Sequence, residues 1–452
     1  MAERDILIVG GGITGLAIAY QLGKLGLGPR VRLVERHILA AAATSRAAAL
    51  VTLVRSKTHF IPLVWETYRA IDELQSEFGQ DVGLRRVGAL HVGTAAVAEE
   101  LRVQAEAASG FGIASVPLGP AGAATLAPWL DPEALGAAMF YPQEAFVEPY
   151  LLATAYGRAA VALGVEVRQG VAVSALRLEN GSVAGVHLQA DGSRRDHGSA
   201  ALGAAGGEGA GPGVGENNGE SKGETTCEPK GETHGDIVPA AITILAGGAW
   251  SGLLTAPLGH PLPMAPVRSQ YWITETNDLF PRESPIVLLP EAAAYARPEV
   301  GGLLFGVREE ASAVADPRRL PADLAGFCFD PADPEGWDNL AAGAPALRPF
   351  FPALDRLGIA HYITGPSNYT PDGNLIVGAF PDLPGLLVAT GCNGAGIATS
   401  GGVGRLVAER VAGRQPFVDA TPFRPERFGQ GDCFAPAFLA RCAASRSGKR
   451  CG

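Results

Sequence analysis

The chain has 452 residues, 47% of them hydrophobic and 18% charged, with a formal net charge of −10. That length exceeds one ordinary core and predicts two domains or one domain with large insertions. The acidic balance argues against a nucleic-acid partner, and no apolar run is long enough to span a bilayer.

Met1 to Asp5 leads straight into Ile6-Leu7-Ile8-Val9, which leaves no room for a cleavable leader, so a cytoplasmic location is the expectation. Four aliphatic residues in a row predict a strand buried on both faces, as in a parallel sheet. Gly10, Gly12 and Gly15 then supply G-x-G-x-x-G ahead of a helix starting near Leu16. Gly10 permits a tight turn, Gly12 a close approach of pyrophosphate to the backbone, and Gly15 close packing of helix on strand. Phosphates are favoured at the helix N-terminus by its free N–H groups and dipole. A lone fingerprint is weak in a chain with 60 glycines, but here the context is complete. A second strand over 31–34 ends in Glu35, about 20 residues beyond Gly15, where a carboxylate can accept from a ribose hydroxyl.

Small residues from Ala40 to Thr44, followed by Ser45 and Arg46, permit close approach of a ligand or begin an alanine-rich helix. Helices are predicted over 63–78, 99–109 and 151–163, with strands over 87–92 and 165–167. Segments 173–178 and 183–188 flank Asn180-Gly181 and predict a hairpin. From 190 to 236 the chain turns Gly-, Glu- and Ser-rich and reads as a disordered insertion. A buried strand over 241–246 ends at Gly247-Gly248 near Trp250, suited to covering a dinucleotide from its other side. Dense prolines and short strands (269–274, 285–289, 302–307) predict an antiparallel sheet in a second domain. Strands near 374–378 and 386–390 follow. Gly391 to Ile397 is then a Gly-rich entry to a helix running to about Gly413, a second anion-receiving turn. Residues 416–452 read as a tail with a frayed basic end, Arg446 to Arg450. The six cysteines and eight histidines show no metal-ligand spacing, so no metal is expected, and the cysteines suit a reducing compartment.

With these motifs in order, the chain resembles the FAD-dependent D-amino-acid-oxidase-like oxidoreductase superfamily, and within it the dimethylglycine and sarcosine dehydrogenase group. The resemblance rests on the fingerprint with Glu35-Arg36, Arg86 to Leu90, Glu148-Pro149-Tyr150, Pro266 to Tyr271, Gly302 to Gly306, Thr370-Pro371-Asp372-Gly373 and Ser400 to Gly404. It implies an α/β fold in which a Rossmann-like FAD-binding domain (1–82, 145–258, 361–415) interleaves with an antiparallel-sheet α+β substrate domain (83–144, 259–360). It implies FAD held by Gly10, Gly12, Ile13, Thr14 and Gly15 at the pyrophosphate and by Glu35 and Arg36 at the adenosine. Ser45 and Arg46 fall near the flavin ring and Val173 near the adenine. Gly391, Asn393, Gly394, Ala395, Gly396 and Ile397 fall at the pyrimidine edge, and Gly247, Trp250 and Asp372 complete the set.

Three departures shape the expectation. Arg46 stands where relatives with covalent flavin carry a His, which implies noncovalent FAD. Ser269 replaces a His found in dimethylglycine-type enzymes. The chain ends where mitochondrial-type relatives continue into a folate-binding domain, so folate coupling is not expected. The implied reaction is hydride removal from a carbon beside an amine nitrogen of a small amine or N-methylated amino acid, giving an imine that hydrolyses; the electron acceptor is left open. Tyr271 is the expected pocket hydroxyl. Arg297 and Arg268, with Arg46, are the candidate carboxylate forks, because guanidinium offers two-point contact. The competing readings are a D-amino-acid or 2-hydroxyacid dehydrogenase on the same scaffold, and a flavin-bearing non-catalytic subunit.

Overall fold

The computed structural model describes residues 5–189, 235–429 and 431–449. Most of the Gly-rich insertion expected over 190–236 lies outside the described residues.

The first strand, Ile6–Val9, is buried throughout and pairs in parallel with Val31–Glu35 on one side and Ile242–Leu245 on the other. Leu386–Thr390 continues the sheet in parallel and Ile376–Ala379 closes it antiparallel, while Glu166–Gln169 forms the opposite edge. Ile6–Val9 and Leu386–Thr390 are aliphatic runs without alternation because helices cover the middle of the sheet, while the edge strand Glu166–Gln169 is polar and partly exposed. Ile13–Lys24 follows the first strand directly and packs against Pro149–Ala162 and Ser400–Val411. The last of these approaches closely because Gly404 lies where a Cβ would sit 2.7 Å from the Ala17 carbonyl.

The second layer is an eight-stranded sheet in which only Ala89–Gly93 and Ile286–Leu289 pair in parallel. Its longest pairing joins Ala265–Thr274 to Ile359–Tyr369, from Ala265 opposite Tyr369 to Thr274 opposite Ile359. The division drawn from sequence at 361 therefore falls inside a strand of this sheet. Trp272, Phe305, Phe351 and Trp129 fill the core on one face, with Trp272 and Phe305 stacked at 5.8 Å. Ala294–Glu299, a strand not predicted, lies between Ile286–Leu289 and Gly302–Val307.

The C-terminal segment is not a frayed tail. Pro436–Ser447 is a helix whose Leu439, Cys442 and Ala443 pack on Ala265, Val267 and Tyr369. Positions 439, 442, 443 and 446 share one helical face, and all four are buried. The seam is short and ends in an arginine, which hid its helical period.

Candidate active site

A single cavity of about 1070 Å³ runs from the first strand–helix turn to the face of the antiparallel sheet. At one end Gly10 carries φ 113°, and a Cβ there would meet the Ala246 carbonyl at 2.5 Å, so the two central strands approach as only glycine allows. Gly15 lies against the Gly10 carbonyl, which places its helix hard on the turn. The Glu35 carboxylate is oriented by two backbone donors, Gly11 N–H at 2.7 Å and His37 N–H at 2.9 Å, and also lines the cavity. Thr44 Oγ1 accepts from Ile13 N–H at 3.1 Å, tying the small-residue loop to the helix start. That loop is a series of turns, not a helix.

Of the residues expected to hold a cofactor, Gly10, Gly12, Ile13, Thr14, Glu35, Arg36, Arg46, Val173, Gly247, Trp250, Gly391, Gly394, Gly396 and Ile397 line this cavity. The two Gly-rich turns thus face one space. Arg36 stacks over the Trp250 ring at 3.7 Å. The Arg46 guanidinium is taken up by the carbonyls of Ala41 (2.8 Å), Ala42 (3.1 Å) and Leu324 (3.4 Å).

Gly15, Ser45, Asn393, Ala395 and Asp372 are off the cavity wall. Ser45 Oγ donates to Ala42 O at 3.3 Å. Asn393 braces the second turn, its Oδ1 accepting from Thr370 N–H at 2.9 Å and its Nδ2 donating to Asn374 O at 2.9 Å. Asp372 pairs with Arg427 (2.8 Å) and accepts from Asn374 N–H, which outweigh burial and hold its carboxyl at about 2. It anchors a turn outside the cavity. The helix after the second turn begins only at Ser400, and Gly391, Asn393 and Gly394 in the turn itself carry positive φ.

Strand alternation decides which substrate-side candidates reach the cavity. In Ala265–Thr274, Ser269 and Tyr271 line it while Trp272 enters the core behind. Arg268 therefore faces away, and its buried guanidinium pairs with Glu309, Nε to Oε1 at 2.8 Å. Arg297 is on the same side as Tyr295 but lies behind Ala48, donating to its carbonyl at 2.8 Å and pairing with Glu299. Arg268 and Arg297 thus line no part of the cavity.

The cation that does line it from this sheet is Arg308. It continues the register of Gly306, where the absence of a side chain leaves space for the Tyr295 ring. Reading Gly302–Val307 as an alternating strand and extending it by one residue finds this arginine in the sequence. Thr52 and Arg55 also line the cavity. Their segment is set by fully buried Glu144, whose Oε1 accepts from Leu53 N–H and Val54 N–H at 2.8 Å each. Arg446 reaches it from the C-terminal helix and Lys449 from just beyond that helix. Burial pushes the Tyr271 phenol up and that of Tyr295 to about 12, so both hydroxyls are neutral at physiological pH.

Thr52 Oγ1, Trp250 Nε1, Ser251 Oγ and Asn368 Oδ1 are buried without a protein partner, and all four residues line the cavity. Buried polar atoms in that state fit a ligand that bonds them. No group of histidine, cysteine or carboxylate side chains suited to a metal occurs among the described residues, and none of their helices is long and apolar enough to cross a membrane.

The chain is 26% identical over 424 residues to 4-methylaminobutanoate oxidase (formaldehyde-forming) of Paenarthrobacter nicotinovorans, covering 93% of this chain and 45% of that protein. It is 25% identical over 439 residues to mitochondrial dimethylglycine dehydrogenase of Mus musculus, covering 95% and 44% respectively. The chain thus spans a little under half the length of these relatives. The crystal structure of L-proline dehydrogenase from P. horikoshii superposes with a TM-score of 0.72 at 21% identity, over 94% of this chain and 98% of that one, a likeness of fold. The family profile described as FAD dependent oxidoreductase matches residues 5–410, nearly the whole fold. The chain belongs to the DAO family of FAD-dependent oxidoreductases.

Proposed function

We propose that this chain oxidises the C–N bond of a small amine or N-methylated amino acid to an imine, which water then hydrolyses. The observation that carries this reading is the single cavity shared by the dinucleotide-type cradle and the sheet residues Tyr271, Tyr295 and Arg308. The residues present fit FAD: a glycine cradle without side chains, an oriented ribose-type carboxylate at Glu35, and buried polar atoms awaiting partners. FAD, when bound, supplies the acceptor for the hydride and its electron pair. Noncovalent attachment is part of the proposal, since the Arg46 guanidinium is engaged by carbonyls and offers no nucleophile.

The protein's own part is positioning. Arg308 offers a two-point fork to a substrate carboxylate. Tyr271 Oη, kept protonated by burial, orients the amine as a neutral hydroxyl. Small amine and amino-acid substrates accord with the names of the relatives. The four described cysteines not joined in disulfides suit a cytoplasmic setting.

The test is anaerobic addition of sarcosine, dimethylglycine, D-amino acids and 2-hydroxyacids to purified yellow protein. Bleaching of the flavin band by N-methyl amino acids is expected. Bleaching by hydroxyacids alone assigns the chain to C–O oxidation instead, and no bleaching by any substrate ends the catalytic reading. Denatured protein is expected to show no added flavin mass.

A further inference from the structure

The cavity wall contributed by the antiparallel sheet and its neighbours carries four cations, Arg55, Arg308, Arg446 and Lys449. The carboxylates among the described lining residues are Glu35 and Asp323, both elsewhere: Glu35 is bonded to the first Gly-rich turn and Asp323 acts on Arg36. Off the wall, Glu144 acts on Arg55, and Glu309 is engaged by Arg268. Burial, then Arg55 and Arg308, and further Arg446, drive the Lys449 amine well below its ordinary value. Gathering like charges in a buried space is costly unless an anion joins them.

Two of the four are placed by a purpose-built latch. Ser312 N–H and Oγ bond Ser447 Oγ at 3.1 and 2.9 Å, and Arg446 Nη1 donates to Ser312 Oγ at 3.2 Å. Arg446 is 4% exposed. Lys449 Nζ donates to Asn393 O at 3.2 Å, on the second Gly-rich turn. The apolar face Leu439, Cys442 and Ala443 fixes the helix that carries Arg446 and ends two residues before Lys449. One carboxylate on Arg308 leaves this second pair of cations without a counter-ion.

We propose that Arg446 and Lys449 form a second carboxylate site, so that the substrate is an amine bearing two carboxylates, such as an N-carboxymethyl amino acid or an N-alkylated aspartate or glutamate. This rests on the amine-oxidation reading and on Arg308 as the first site. The test uses the full-length, FAD-loaded protein and two unreactive thioethers, thiodiacetate with two carboxylates and (methylthio)acetate with one. Binding is followed by the change in the visible flavin spectrum. Thiodiacetate is expected to bind at least about tenfold tighter, as two charge-assisted contacts should exceed one by more than 1.4 kcal/mol. Arg446→Met and Lys449→Met are each expected to lower that ratio, with folding checked by flavin content and thermal melting. The wild-type ratio decides even where a variant does not fold, and a ratio near one overturns the proposal. An unchanged ratio in folded variants whose flavin reduction potential has shifted assigns these cations to the cofactor and also overturns it. Sarcosine bleaching with a ratio near one sinks this inference alone. A high ratio that falls in both variants, with no amine able to bleach the flavin, supports the site and sinks the catalytic reading.

Discussion

Glu144→Gln tests how the cavity wall is built. The native carboxylate is fully buried and accepts two backbone N–H groups of the segment that ends in Arg55. Burial raises its pKa from 4.5 to about 7, opposed by the Val54 and Leu53 N–H groups and the Arg55 charge. The folded protein therefore holds this proton more tightly than the unfolded chain. The stability it contributes is complete below pH 4.5 and is lost as pH rises through about 7. A shift of this size corresponds to about 3 kcal/mol. For a chain of this length that is a fall of about 3 °C in melting temperature. Glutamine keeps an acceptor for both N–H groups and does not titrate. Calorimetric melts of both proteins at pH 5 and pH 8 should show the wild type losing about 3 °C relative to the variant between those values. Buried His91, held down to about 4 by burial, acts with the opposite sign, its contribution being lost as pH falls from 6.5 towards 4. It is common to both proteins and cancels in their difference. A wild-type-minus-variant difference that is equal at both pH values refutes the reasoning.

Gly15→Ala drives a methyl into the Gly10 carbonyl, and Gly10 cannot retreat because its N–H is bonded to Val34 O at 2.9 Å. A loss of about 3 kcal/mol, the upper end for overpacking, is expected together with loss of flavin on gel filtration. Gly122→Ala, whose added Cβ has nothing nearer than 3.8 Å, is the matched control and should retain its flavin. Arg268→Met leaves Glu309 buried and unpaired and should cost about 3–5 kcal/mol, most of it recovered by adding Glu309→Leu; an undisturbed melt of the single variant shows the pair to be structurally idle. Arg308→Met should raise KM for a carboxylate substrate about 10- to 100-fold, the loss of a charged hydrogen bond, with a smaller effect from Tyr271→Phe. Unchanged steady-state kinetics in both removes this wall from substrate binding.

Buried strands at Ile6–Val9, Gly302–Val307 and Leu386–Thr390 were legible because aliphatic runs bounded by glycine have few other uses. The hairpin was legible for the same local reason, with Asn180 at φ 49° and Gly181 at φ 77° making its turn. The pairing of Arg297 with Glu299 was missed together with its strand, since two residues two apart share a face only once Ala294–Glu299 is extended. The Arg268 pair was not legible either, because Glu309 lies 41 residues away and meets it only after the sheet has folded. Arg446 and Lys449 escaped for a similar reason. Nothing local distinguishes a basic chain end from a basic helix end docked on Ala265 and Tyr369.

The neighbours of the first strand have a consequence for how the chain is made. Ile6–Val9 is made long before both its neighbours exist, since one of its two flanking strands is Ile242–Leu245, and the strand beyond that is Leu386–Thr390. A nascent chain emerging from the ribosome must carry an unpaired hydrophobic edge until Ile242–Leu245 has been made. Output of native protein should therefore depend on holdase chaperones and on elongation speed as much as on the stability of the finished molecule.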